Sequence, residues 1–210
     1  MTRLRMTTLG AALLASVSGA ALAQEDGLSI VFTHHSSASN TFWQAVQKGF
    51  DDACARVEAE CQMIFTQTEG SIQEQLANME AALAQNPDAL VTSIVDNAAF
   101  DDVIQRARDA GVTVIAANVD DLEGAAGNAR QAFVGQGFIP AGRTLAEAQA
   151  ANFPAEGPVK VLVGVSAPGQ NWSEQRAQGV IEGLEAWAAA NPDREFSYER
   201  IDSGTDLATV

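Results

Sequence analysis

Positive charge is scarce in this chain. Its 210 residues carry 12 Lys and Arg against 27 Asp and Glu, a formal net charge of −15 at pH 7. Such a surface lacks the cationic footprint that nucleic acid or an anionic bilayer requires. The partner classes left are a small neutral or polar ligand, or a protein. Cysteine is nearly absent, with only Cys54 and Cys61. They have no C-x-x-C spacing and no neighbouring histidine, so a redox or metal pair is a weak reading. The two histidines, His34 and His35, are adjacent, and adjacent loop residues do not readily face one ion. No H-E-x-x-H, G-x-S-x-G or Walker sequence occurs. Gly135-Gln136-Gly137 resembles the start of a dinucleotide loop, but Pro140 stands where the third glycine belongs. No cofactor and no metal site are therefore expected. The 47% of apolar residues is too high for a disordered chain.

The only long apolar run is at the start. Arg3 and Arg5 precede a greasy, small-residue stretch, Met6 to Ala23, that ends in Ala21-Leu22-Ala23 before Gln24-Glu25-Asp26. This is the pattern of a secretory signal peptide cleaved after Ala23. A single membrane anchor is the alternative, since the stretch is about long enough to span a bilayer. Cleavage would remove two positive charges and leave a soluble protein in an exported compartment, with a periplasm the best fit. Export permits a disulfide. An even pair at a helix-to-strand turn reads as a structural Cys54–Cys61 bond, with two separate buried thiols as the alternative.

The remaining pattern alternates strand and helix. Leu28–Thr33, Cys61–Thr66, Ala89–Ile94, Val112–Ala116, Ala132–Val134, Val159–Val163 and Phe196–Ile201 are short runs of strand type. His34–Asn40 reads as a polar loop. Phe42, Val46, Phe50, Ala53 and Val57 repeat at helical spacing. Ile72, Leu76, Met79 and Leu83 do the same after Ser71, which has capping-box spacing to Glu74. Further helices are read around Phe100–Ala107, Ile139–Asn152 and Ser173–Ala190. Asn-Pro-Asp follows a helix twice, at 86–88 and 191–193, because proline cannot continue the helical ladder. The alternation predicts an α/β fold with parallel sheets covered by helices, and ligands at the carboxyl ends of the strands.

Those ends carry amides, carboxylates, an arginine and aromatics. Asn40, Phe42 and Trp43 follow the first strand. Asp96 and Asn97 follow the third, Asn118 with Asp120 and Asp121 the fourth, and Trp172 and Arg176 the run at 159–163. Hydroxyl-rich ligands need such a set: hydroxyls donate and accept, and the C–H faces of a pyranose pack on flat rings. Each residue has a plainer role. Phe42 and Trp43 open a helix and suit a core. Asp96 and Asn97 suit a helix cap. Asp120-Asp121 suits a solvated turn, and Arg176 can pair with Glu174 or Glu182.

Taken in order, Asn40-Thr41-Phe42-Trp43, Asn86-Pro87-Asp88-x-Leu90-Val91, Ala110-Gly111-Val112-x-Val114-Ile115, Val134-Gly135-Gln136 and Arg176-x-x-Gly179 resemble the periplasmic sugar-binding proteins of ABC transporters. These form the ribose/galactose-binding-like group of the LacI-related superfamily. The resemblance spans Ser29 to about Val210. It implies two Rossmann-like lobes of the type I periplasmic binding protein kind, one over residues 24–136 and the other over 137–210 after a leader at 1–23. It also implies a sugar or polyol held between the lobes and delivered to a membrane permease, with no enzymatic step. By position it assigns ligand contacts to Asn40, Phe42, Trp43, Ser93, Asp96, Asn118 and Arg176. Asn118 replaces the aspartate many members have, and Val119 replaces the arginine that usually follows, so ribose itself is not indicated. Family members continue well past residue 210, so the second lobe is expected to be incomplete, with an uncovered sheet edge. A receptor feeding a chemoreceptor or sensor kinase is the alternative partner reading. An exported α/β enzyme using His34 or His35 as a base is the alternative class. The missing N-terminal helix-turn-helix speaks against a repressor.

Overall fold

A computed structural model describes residues 27–204. The leader predicted at 1–23 lies outside the described residues. The elements are β1 (Ser29–Ser37), α1 (Thr41–Arg56), β2 (Glu60–Thr66), α2 (Ile72–Leu83), β3 (Ala89–Thr92), α3 (Asp101–Asp109), β4 (Thr113–Asn118), β5 (Ala132–Gly135), α4 (Phe138–Ala150), β6 (Val159–Val165), α5 (Asn171–Ala190) and β7 (Phe196–Asp202). β1 to β5 form one parallel sheet in the order β2-β1-β3-β4-β5. β6 and β7 pair in parallel as a second sheet. This is the α/β architecture that the strand–helix alternation predicts, in two lobes.

The first lobe buries Leu90, Ile94 and Val114 of the sheet region against Met79 of α2, Val103 and Ile104 of α3, and Phe100 just before α3. β1 lies inside the sheet between β2 and β3, and Val31 to Ser37 are all buried. Here the structure corrects the sequence reading. His34 and His35 belong to β1, not to a loop, because parallel pairing with β2 resumes at Ser37 opposite Thr66 after an irregularity beyond Thr33. Both imidazoles stay neutral in the interior. Burial drops the His34 pKa to about 3 and that of His35 to about 4.

Local signals place the helices. The Asn40 side chain accepts the Phe42 N–H (3.1 Å) and starts α1. Ser71 accepts the Glu74 N–H (3.2 Å) and starts α2. Glu74 does not complete a capping box. Its carboxylate instead accepts the N–H groups of Gln67 (2.6 Å) and Thr68 (3.0 Å) in the preceding turn. Asp88 ties the end of the first Asn-Pro-Asp to the start of β1, accepting from Ser29 N and Oγ at 2.8 Å each. Cys54 near the end of α1 is disulfide-bonded to Cys61 in β2, with the Cα atoms 6.2 Å apart.

The second lobe is built on a close helix crossing. Gly179 of α5 lies against the backbone of Ile139 in α4, where an added Cβ would stand 2.1 Å from the Ile139 carbonyl oxygen. Val163, Val165, Ala146, Ala177 and Leu184 form the core beneath. None of the described helices is long and apolar enough to cross a membrane.

Candidate functional site

The carboxyl ends of β1, β2, β4 and β6 meet the starts of α1, α4 and α5 around a cavity of about 350 Å³ between the lobes. Asn40, Phe42, Trp43, Asn118 and Arg176, all singled out by sequence, line it. Phe42 is 54% exposed and free to meet a ligand. Trp43 is 2% exposed, and one face is already taken by the His34 ring, stacked at 4.0 Å and 5°. Trp43 therefore closes the cavity from the core side and is not an open platform. Asn118 stands at the end of β4 with φ +67°, a left-handed conformation that asparagine adopts more readily than most residues.

Ser93 and Asp96 lie elsewhere. Ser93 is fully buried, its hydroxyl 2.9 Å from His35 Nδ1 and 3.3 Å from Gln75 Nε2. Asp96 accepts the N–H groups of Ala98 and Ala99 at 2.9 Å each and acts as a turn cap. Asp120 and Asp121 do not form a solvated turn. Asp120 pairs with the buried Arg130, and Asp121 is 5% exposed.

Arg176 pairs with neither Glu174 nor Glu182. Glu174 is engaged by Arg200, and Glu182 by Arg143. Arg176 has no carboxylate partner among the described residues. Its guanidinium lies 4.7 Å from the centre of the Phe138 ring and 5.7 Å from that of Trp172. Cation–π contact holds such a group in place while leaving its N–H donors free. Partial burial lowers its pKa without threatening its charge.

Glu69, Gln136, Phe138 and Trp172 also line the cavity and were not among the expected contacts. Glu69, three residues past the last paired position of β2, accepts from Ser36 Oγ (2.7 Å), Ser37 N (2.9 Å), Asn40 Nδ2 (3.1 Å) and Ser37 Oγ (3.2 Å). Burial alone would raise its pKa. The hydrogen bonds from Ser36, Ser37 and Asn40 outweigh that and hold it below the usual carboxylate range. Glu69 thus fixes Asn40 as much as it lines the cavity. Gln136 and Phe138 come from the β5–α4 junction, and the half-buried Trp172 from the first turn of α5. The rule of strand carboxyl ends, applied to β2, would have pointed to Glu69.

Both histidines are engaged within the first lobe. His34 Nδ1 accepts the Ser36 N–H (3.1 Å), which puts the ring proton on Nε2, a buried atom without a partner. His35 faces the cavity as a neutral ring held by Ser93. Among the described residues no three His, Cys, Asp or Glu side chains cluster with metal-holding geometry. The cavity offers amide and guanidinium donors, amide and carboxylate acceptors, and three aromatic faces.

Comparison with known proteins accords with this geometry. The Periplasmic binding protein domain profile matches residues 30–209. The Xylose/arabinose-binding protein XylF of Sulfolobus acidocaldarius is 36% identical over 90 residues, which cover 42% of this chain and 22% of that protein. A periplasmic sugar-binding protein of an ABC sugar transporter from Legionella pneumophila superposes with a TM-score of 0.75 at 25% identity, covering 86% of this chain and 62% of that one. A sugar-binding protein of a sugar ABC transporter from Bacillus halodurans gives 0.67 at 27% identity, covering 84% and 56%. The Caulobacter myo-inositol binding protein shares the fold, with a TM-score of 0.68 at 22% identity over 84% and 56%. The chain spans less than two thirds of the length of each of these proteins. With the profile matched over most of its length and the two-lobed parallel α/β fold in place, the chain belongs to the periplasmic binding protein domain family, a family of solute-binding proteins.

Proposed function

We propose that this protein captures a sugar or sugar-like polyol between its lobes, outside the cytoplasm, and hands it to an ABC permease. The observation that carries the reading is the company kept by Arg176. A half-buried cation without an acid partner shares one cavity with Asn40, Asn118, Phe42 and Trp172. A ring of hydroxyls satisfies those donors and acceptors, and its C–H faces cover the aromatics. Asn40, Phe42, Asn118 and Arg176 are the direct contacts in this reading. Trp43 acts as the floor, and Ser93 acts through His35. Residues 24–136 form one jaw and 137–210 belong to the other, after a leader cleaved behind Ala23.

The relatives support the ligand class. One binds xylose and arabinose by its name, and others are described as sugar-binding or bound to myo-inositol. A thermal-shift screen of pentoses, hexoses and inositols tests it. A true ligand at a hundredfold excess over its Kd adds about 2.7 kcal/mol to stability. At least one compound is expected to raise Tm; silence across all three classes overturns the reading.

A further inference from the structure

Three consecutive residues at the start of α5 divide the work of meeting the first lobe. Gln170 and Asn171 are buried, and Trp172 lines the cavity. Asn171 crosses twice, its N–H donating to the Val95 carbonyl (3.0 Å) and its Nδ2 to Asn97 Oδ1 (2.6 Å). Gln170 uses both ends of one amide. Its Nε2 donates to the Gly70 carbonyl of the first lobe (3.1 Å), and its Oε1 accepts the indole N–H of Trp172 (2.7 Å). The amide is planar, so fixing one end orients the other.

The first lobe is shaped for this contact. Gly70 has φ +74°, and a Cβ there would stand 2.8 Å from Gln170 Nε2. The Gly70 N–H donates to the His35 carbonyl (2.7 Å), which ties the contact point to β1. The His35 ring in turn faces Trp172, with centroids 6.2 Å apart. The path Trp172–Gln170–Gly70–His35 therefore forms a closed loop along one side of the cavity.

We infer that Gln170 is a positioning residue that fixes the Trp172 ring through the first lobe, so that lobe contact and completion of the aromatic wall are a single event. Its effect on ligand affinity rests on the carbohydrate reading above; the tie itself does not. Separation of the lobes removes the Gly70 acceptor and frees the Gln170 amide to turn. Trp172 then loses its fixed partner, and a bound ligand loses one wall.

The test is a nitrogen-15 NMR measurement on the full chain. The three indole N–H signals are assigned with Trp43→Phe, Trp172→Phe and Trp187→Phe. Trp187 is the internal reference, because it packs on Phe153 and Phe196 inside the second lobe. In Gln170→Ala, the Trp172 indole proton is expected to exchange with water about tenfold faster or more, while that of Trp187 is unmoved. Gln170→Glu still accepts the indole N–H but cannot donate to Gly70. With that tie lost, it is expected to loosen the Trp172 signal, though less than Gln170→Ala does, and to release the screened sugar about tenfold faster than wild type. An unchanged Trp172 signal in Gln170→Ala overturns the proposal, as does a wild-type release rate in Gln170→Glu. If the wild type binds no sugar at all, the carbohydrate reading fails, and the indole signal still decides whether Gln170 holds Trp172.

Discussion

Arg176 shows how one side chain changes meaning once its surroundings are known. On a helix rich in glutamate it looks like half of a surface ion pair, yet both nearby glutamates are engaged by other arginines. What remains is a guanidinium resting on two rings with its donors unspent. Arg176→Ala is expected to weaken ligand binding by about 10–100-fold, the usual worth of hydrogen bonds from a charged donor. Arg176→Lys is expected to recover little, because an ammonium has no planar fork and does not stack. Calorimetric titration reads both. The histidines make a second prediction. Burial holds His34 at about 3 and His35 at about 4, while in the unfolded chain both titrate at about 6.5. Below pH 6.5 the unfolded state binds protons that the native state refuses. Stability is thus full above 6.5 and falls as the pH drops toward 4. His35→Gln is expected to flatten this acid limb in urea unfolding measured at pH 7 and pH 5. An unchanged slope contradicts the burial account.

At the scale of elements, two contacts dictate local geometry. The Cys54–Cys61 bond closes the turn from α1 to β2. A loop this short is worth about 2–3 kcal/mol in the chain-entropy view. Cys54→Ser/Cys61→Ser is expected to lose that much in urea unfolding and to leave ligand affinity intact. The α4–α5 crossing depends on the absence of a side chain at Gly179, so Gly179→Ala is expected to cost about 1–3 kcal/mol by forcing the helices apart. Most of the elements were legible in sequence, because buried parallel strands are runs of branched apolar residues and the helices repeat at three and four. β1 was read four residues short, since His34-His35-Ser36-Ser37 has the composition of a loop. The pairing of Ser37 with Thr66 makes those residues strand. The site was legible in part for a similar reason. Strand-end position names Asn40, Asn118 and Arg176. It does not say that Ser93 turns inward to His35, or that Asp96 spends its oxygen on a turn. Glu69 and Trp172 also follow strand ends; that they share one cavity with Arg176 depends on how the lobes meet, which no local pattern records.

Across the whole molecule, the cavity is built from two surfaces. The first lobe supplies Asn40, Phe42, Glu69 and Asn118; the second supplies Phe138, Trp172 and Arg176. Neither set encloses a ligand, and hydrogen bonds from Gln170 and Asn171 hold the two together. A ligand touching both lobes favours the closed arrangement by the difference between its affinities for the closed and open states. The most direct measurement is calorimetric titration of a panel of pentoses, hexoses and inositols into the full chain, with Arg176→Ala titrated in parallel. Saturable heat from at least one of them, largely lost in the variant, is the predicted result. No heat from any compound, or equal heat from both proteins, contradicts the account.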